Sequence, residues 1–146
     1  MKKLIKLFAV INCLSSIAII FTPTVSWGVV DGKGLYCLDT HLGTTEKWFT
    51  FVDGNVQFWE IQLQPNEQYE IKKVFQSKLI ITPNFLMWKQ NDTNFYLSRK
   101  TLLLKINELR YLNCEVFDKT YLKLKLSQKK HLLQSEYDEK TKDNKI

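Results

Sequence analysis

Beyond its first 28 residues this chain of 146 carries two histidines, His41 and His131, and two cysteines, Cys37 and Cys114. These four side chains bound the metal and nucleophile chemistry open to it. Asp39-Thr40-His41 sets a carboxylate and an imidazole on one side of an extended segment, as a metal pair requires. No third ligand stands at a metal-binding spacing, so the trio reads as the turn after a first strand. Asp31-Gly32-Lys33-Gly34 has glycines and a lysine but neither the phosphate-loop spacing nor a helix behind it, and reads as a flexible lead into that strand. No serine occupies a nucleophile elbow and no nucleophile has a histidine beside it. Glu46, Glu60, Glu67, Glu70 and Glu115 read as strand-face or loop charges, since a hydrolytic acid pair is recognisable only in three dimensions. Asn91-Asp92-Thr93 matches a glycosylation sequon, a pattern that arises often by chance. No catalytic residue, metal site or cofactor site emerges, and the expectation is a protein that is not an enzyme.

Aromatic residues offer binding chemistry instead. Trp48, Trp59 and Trp88, with Tyr36, Tyr69 and Tyr96, exceed what a small core buries in full. Trp48 and Trp59 form a candidate binding face for a protein or another envelope component, because exposed aromatics on a rigid sheet make a common platform. The competing reading is that the C-terminal segment covers this face with Tyr121, Leu122, Leu124, Leu126, Leu132 and Leu133.

The elements that position these residues read as strands. Runs rich in Val, Ile, Phe, Tyr, Trp and Thr recur between turn signals, and no long stretch repeats at helical spacing. Asp53-Gly54 is the favoured chemistry for a two-residue hairpin turn. Placed there, it pairs Phe51 with Val56, Phe49 with Phe58 and Lys47 with Glu60 on one face, and Thr50 with Gln57, Trp48 with Trp59 and Glu46 with Ile61 on the other. A one-residue slip sets Phe49 against Glu60, so the register supports itself. Further strands are expected at 68–76, at 79–81 and 85–88 as buried runs around Thr82-Pro83-Asn84, at 95–98 and 100–106 as two strands or one bent one, and at 109–117. Residues 121–126 alternate like a strand, 128–140 like a solvated helix, and 138–146 are charged and expected to be disordered.

The N-terminus carries an address. Lys2, Lys3 and Lys6, an apolar stretch from Leu7 to Phe21, the break at Thr22-Pro23-Thr24 and small residues up to Gly28 have the order of a secretory signal peptide. Cleavage fits after Gly28, or after Ser26. Asn12, Ser15 and Ser16 interrupt the apolar run, which falls short of the ~20 residues of a spanning helix, so no stable membrane span is expected once it is removed. Three of the 21 basic residues leave with it, so 18 remain against 15 acidic ones. The surplus lies in the tail: from Lys119 onward there are eight lysines and four acids, and residues 29–118 hold 10 basic against 11 acidic side chains. A near-neutral body presents no basic face for nucleic acid. In an oxidising compartment the remaining cysteines, Cys37 and Cys114, are expected to pair.

Such a bridge brings first and last strands together. An antiparallel meander tied in this way favours a small closed or nearly closed all-β barrel, with a two-sheet sandwich as the alternative. The organisation is a signal peptide over 1–28, a β domain over 29–126 and a charged segment, helical or disordered, over 127–146. Gly34-Leu35-Tyr36-Cys37, the stretch Phe95-Tyr96-Leu97-Ser98-Arg99-Lys100-Thr101-Leu102 and the closing Tyr111-Leu112-Asn113-Cys114 resemble short exported bacterial proteins of unknown function. The Tyr-Cys opening and late Asn-Cys are also similar to periplasmic inhibitors of C-type lysozyme, which are small disulfide-tied β barrels. Their Ser-Gly-x-x-Tyr loop is absent here. The expectation is a non-enzymatic binding module, periplasmic or secreted, with an inhibitor of that type or a structural envelope protein as alternatives.

Overall fold

The computed structural model describes residues 30–39 and 45–142. The expected signal peptide and His41 lie outside the described residues. Among the described residues, nine antiparallel strands form one nearly closed, barrel-like sheet: β1 (Lys33–Leu38), β2 (Glu46–Val52), β3 (Asn55–Leu63), β4 (Tyr69–Lys78), β5 (Ile80–Ile81), β6 (Phe85–Gln90), β7 (Thr93–Ser98), β8 (Leu103–Ile106) and β9 (Arg110–Asp118). One helix, α1 (Lys119–Thr141), follows. The spatial order is β4-β3-β2-β1-β9-β8-β7-β6-β5, so the chain runs outward in both directions from the β1–β9 seam. It is a single sheet and not the two-sheet sandwich.

The β2–β3 hairpin has the register expected from its turn, with Phe51 opposite Val56, Phe49 opposite Phe58 and Trp48 opposite Trp59. Asp53 and Gly54 both take positive φ, 51° and 70°, the backbone that turns a tight hairpin and that glycine adopts without steric cost. Between Phe58 and Trp59 the β3–β4 pair changes register. Phe58 faces Phe75 while Trp59 faces Lys73, leaving Val74 as the extra residue of a bulge.

Alternation then sorts side chains to two sides. Leu35, Phe49, Phe58 and Phe75 lie in one inward row, and Leu86, Leu97, Leu104 and Leu112 in another. They join Val30, Phe51, Val56, Trp88 and Phe95 in one continuous core, in which Trp88 stacks on Phe95 with centroids 5.3 Å apart. Closure comes from the far ends of the meander, where Ser77 Oγ donates to the Lys89 carbonyl at 2.6 Å. Cys37 and Cys114 are directly opposite on β1 and β9 and form the expected disulfide.

Several expectations are corrected. Asp31-Gly32 is not a flexible lead: Val30 is buried in the core, and Asp31 Oδ1 accepts the Gly54 N–H at 3.1 Å. Ile80 and Ile81 are exposed, because β5 is the edge strand and pairs on one side only. Residues 95–106 form two paired strands with a turn at Arg99–Leu102, not one bent strand. The strand expected over 121–126 is the first part of α1. Leu122 and Leu126, four residues apart, meet the sheet together only on a helix, and burying both outweighs the local alternation.

Candidate functional site

The two outer faces of the sheet differ. On the β1–β4 side the register aligns Glu115, Tyr36, Trp48, Trp59 and Lys73 across five strands. α1 lies over this row, and Trp48, Leu122 and Leu126 form a second core with Tyr36, Trp59, Ile61, Ile71 and Phe117 against it. Trp48 is only 7% exposed. Trp59 keeps more surface, its Nε1 donating to Thr50 Oγ1 at 2.9 Å and Lys123 Nζ standing 5.5 Å above its ring. The tryptophan face is thus the floor under the helix. What stays open is a cleft of about 480 Å³ at the helix margin, lined in part by both tryptophans, Glu46, Glu60 and Lys129.

The acids of that cleft are engaged with neighbours. Glu46 takes an ion pair from Lys129 Nζ at 3.2 Å and the Tyr36 hydroxyl as a donor, while Glu60 accepts Gln62 Nε2 at 3.1 Å. Asp39 lies buried at one end of the barrel, where Arg110 Nε donates to it at 3.0 Å and Arg110 Nη2 donates to Thr45 Oγ1 at 2.7 Å. Its role here is to tie the β1–β2 connection to β9. Glu70 pairs with Lys72 at 3.7 Å, and Glu115 points outward from β9. Among the described residues no three His, Cys, Asp or Glu side chains gather as a metal site.

The other outer face has no helix on it. Ile80, Met87, Tyr96, Lys105 and Tyr111 stand directly opposite one another across β5 to β9 and make a single row. Tyr96 and Tyr111 are 39% and 44% exposed, and Ile80 is 55% exposed. Lys105 Nζ lies 5.9 Å from the Tyr111 ring, the distance of a cation–π contact. Alongside runs a groove of about 400 Å³ lined by Phe85, Asn94, Tyr96, Lys105, Asn107 and Glu108. Its end is fixed by Asn94 and Asn107: the Asn94 N–H donates to Asn107 Oδ1 at 2.9 Å, and the Asn107 N–H donates to the Asn94 carbonyl at 2.8 Å.

Tyr96 is one of the surplus aromatics of the sequence, but the expected platform is Trp48 and Trp59. The signal that points to this row is the alternation of Phe95-Tyr96-Leu97, which turns Tyr96 away from the core side chains Phe95 and Leu97 on either side of it. Fold and surface together define a disulfide-tied, nearly closed antiparallel β barrel with a helix strapped over one half and an aromatic row open on the other. No family model, curated protein or solved structure matches the chain. A disulfide is consistent with an exported protein, and among the described residues no helix is long and apolar enough to cross a membrane.

Proposed function

We propose that this protein is an exported, non-enzymatic binding module that acts in the periplasm or outside the cell and engages a protein of the envelope through the outer face of β5 to β9. The observation that carries this reading is the row Ile80-Met87-Tyr96-Lys105-Tyr111, which the register makes continuous and which nothing in the described chain covers. Two tyrosines on rigid strands offer large contact area at little entropic cost, and Lys105 between them favours a partner with an acid beside its apolar surface. Trp48 and Trp59 enter as support: by holding α1 they leave the opposite face as the open one. No observation favours the lysozyme-inhibitor or the structural reading over this one.

The test is capture from envelope extract by the oxidised protein, with crosslinking through the β6–β9 face. A partner should be recovered by the parent chain and lost with the double substitution Tyr96→Ser, Tyr111→Ser, while Trp48→Phe leaves recovery unchanged. Equal recovery by the double variant would end the proposal.

A further inference from the structure

α1 is fastened to the sheet near both its ends, as well as by the Lys129–Glu46 ion pair between them. Near its start Leu122 rests on the backbone of β1 at Gly34, where an added Cβ would stand 2.5 Å from Leu122 Cδ2. Near its end Gln134 Oε1 accepts the Tyr69 N–H at 2.8 Å, Gln134 Nε2 donates to the Glu67 carbonyl at 3.2 Å, and Tyr137 meets Tyr69 edge-on at 6.2 Å. Between these points the Trp59 indole stands against the helix. An apolar slot of about 180 Å³ is left there, lined by Thr50, Trp59, Ile71, Leu122, Lys123 and Leu126.

The polar atoms of its wall are spent on one another. Trp59 Nε1 donates to Thr50 Oγ1 at 2.9 Å, and Thr50 Oγ1 donates to Gln57 Oε1 at 3.3 Å. Nothing in the wall calls for water, and an enclosed apolar cavity of about 150 Å³ accepts a six-carbon ring such as benzene, which sets the scale of hydrocarbon that this open slot can hold. One charge lines the slot. Lys123 Nζ, 5.5 Å over the Trp59 ring, has no carboxylate partner among the described residues. A hydrocarbon-sized slot with a single cation at its rim complements an amphiphile whose one charge is negative.

We propose that the slot between α1 and the β2–β4 face binds a single-chain alkyl carboxylate, with the chain between Trp59, Ile71, Leu122 and Leu126 and the carboxylate on Lys123. The site is separate from the β5–β9 row, and the two stand or fall independently.

Calorimetric titration of the oxidised full chain with straight-chain alkanoates from four to twelve carbons tests it. Affinity should rise about fourfold per added methylene and level off once about six carbons are enclosed. Octanol should bind several-fold more weakly than octanoate. Lys123→Gln, at the solvent-facing rim of the slot, should remove that difference and leave octanol binding as it was. Ile71→Phe fills the slot and should weaken both ligands at least tenfold with an unchanged circular dichroism spectrum. If Ile71→Phe fails to fold, the chain-length plateau and Lys123→Gln decide the matter by themselves. Absence of saturable octanoate binding, affinity climbing without a plateau, full octanoate affinity in Lys123→Gln or full affinity in a folded Ile71→Phe would each overturn the proposal.

Discussion

Tyr36 sits in the row under α1, and the residues around it set when it ionises. Partial burial raises its pKa above the ordinary 10.0, and the negative charge of Glu46, its hydrogen bond to Glu46 and the charge of Glu115 push the same way. A phenol whose folded pKa is raised binds its proton more tightly in the folded chain than in the unfolded one. It therefore contributes stability that is fully present below pH ~10 and is lost as pH climbs through the raised value. Alkaline titration followed by phenolate absorbance should show a late step that disappears in Tyr36→Phe. A titration in which the substitution removes only an ordinary step would contradict the assignment. Lys47 is shifted in the opposite sense, its pKa lowered by burial and by Arg110 against the pull of Glu60. Each of these residues thus feels charges from two other strands, Glu46 on β2 and Glu115 on β9 for Tyr36, Glu60 on β3 and Arg110 on β9 for Lys47, none of which its sequence neighbours announce.

The helix is poorly supported by its own residues. Its first turn has no acid, Asp118 before it makes no side-chain cap, and its acids, Glu136, Asp138 and Glu139, lie towards the C-terminal end. That arrangement opposes the helix dipole, which favours negative charge at the start and positive at the end. Packing must therefore hold α1 in place, and at Gly34 it is close enough to leave no room for a Cβ. Gly34→Ala should drive Leu122 off the sheet and cost about 1–3 kcal/mol, as overpacking of a filled interface does. Urea unfolding would measure this, with a red shift of tryptophan emission as Trp48 gains solvent. An unchanged midpoint would show that the helix does not depend on this contact. The strand-like pattern of residues 121–126 misleads for the same reason: alternation is a local signal, whereas the site where Leu122 and Leu126 dock is built by β1 to β4 and β9.

At the scale of the molecule, one bond closes most of the chain. Cys37 and Cys114 are separated by 77 residues and join the strands at the centre of the sheet order, from which both halves fan out. In the chain-entropy model a loop of that length contributes about 4 kcal/mol, by removing open conformations of the unfolded chain. For a domain near the lower size limit of a self-sufficient core this is a large share of the net stability. The double substitution Cys37→Ala, Cys114→Ala should lower unfolding free energy by about 2–4 kcal/mol, and thiol labelling of the unreduced parent should find neither cysteine reactive. A variant as stable as the parent would mean that the β1–β9 pairing suffices without the bridge.

By itself the sequence determined what local chemistry and counting can reach. The Asp53-Gly54 turn dictated the register of its hairpin, because a slip exchanges the two faces. An even pair of cysteines at the two ends of a meander pointed to first and last strands meeting, which favours a nearly closed barrel over the two-sheet alternative. The tertiary structure decided which aromatic face is left open. Trp48, Trp59 and Tyr96 all alternate outward from their strands, and nothing local distinguishes them. The helix settles on the first two because the bare backbone of Gly34 lets Leu122 approach there, and its footprint leaves Tyr96 and Tyr111 in solvent. Which surface faces the outside world depends on where a distant segment packs, and that is a property of the assembled molecule.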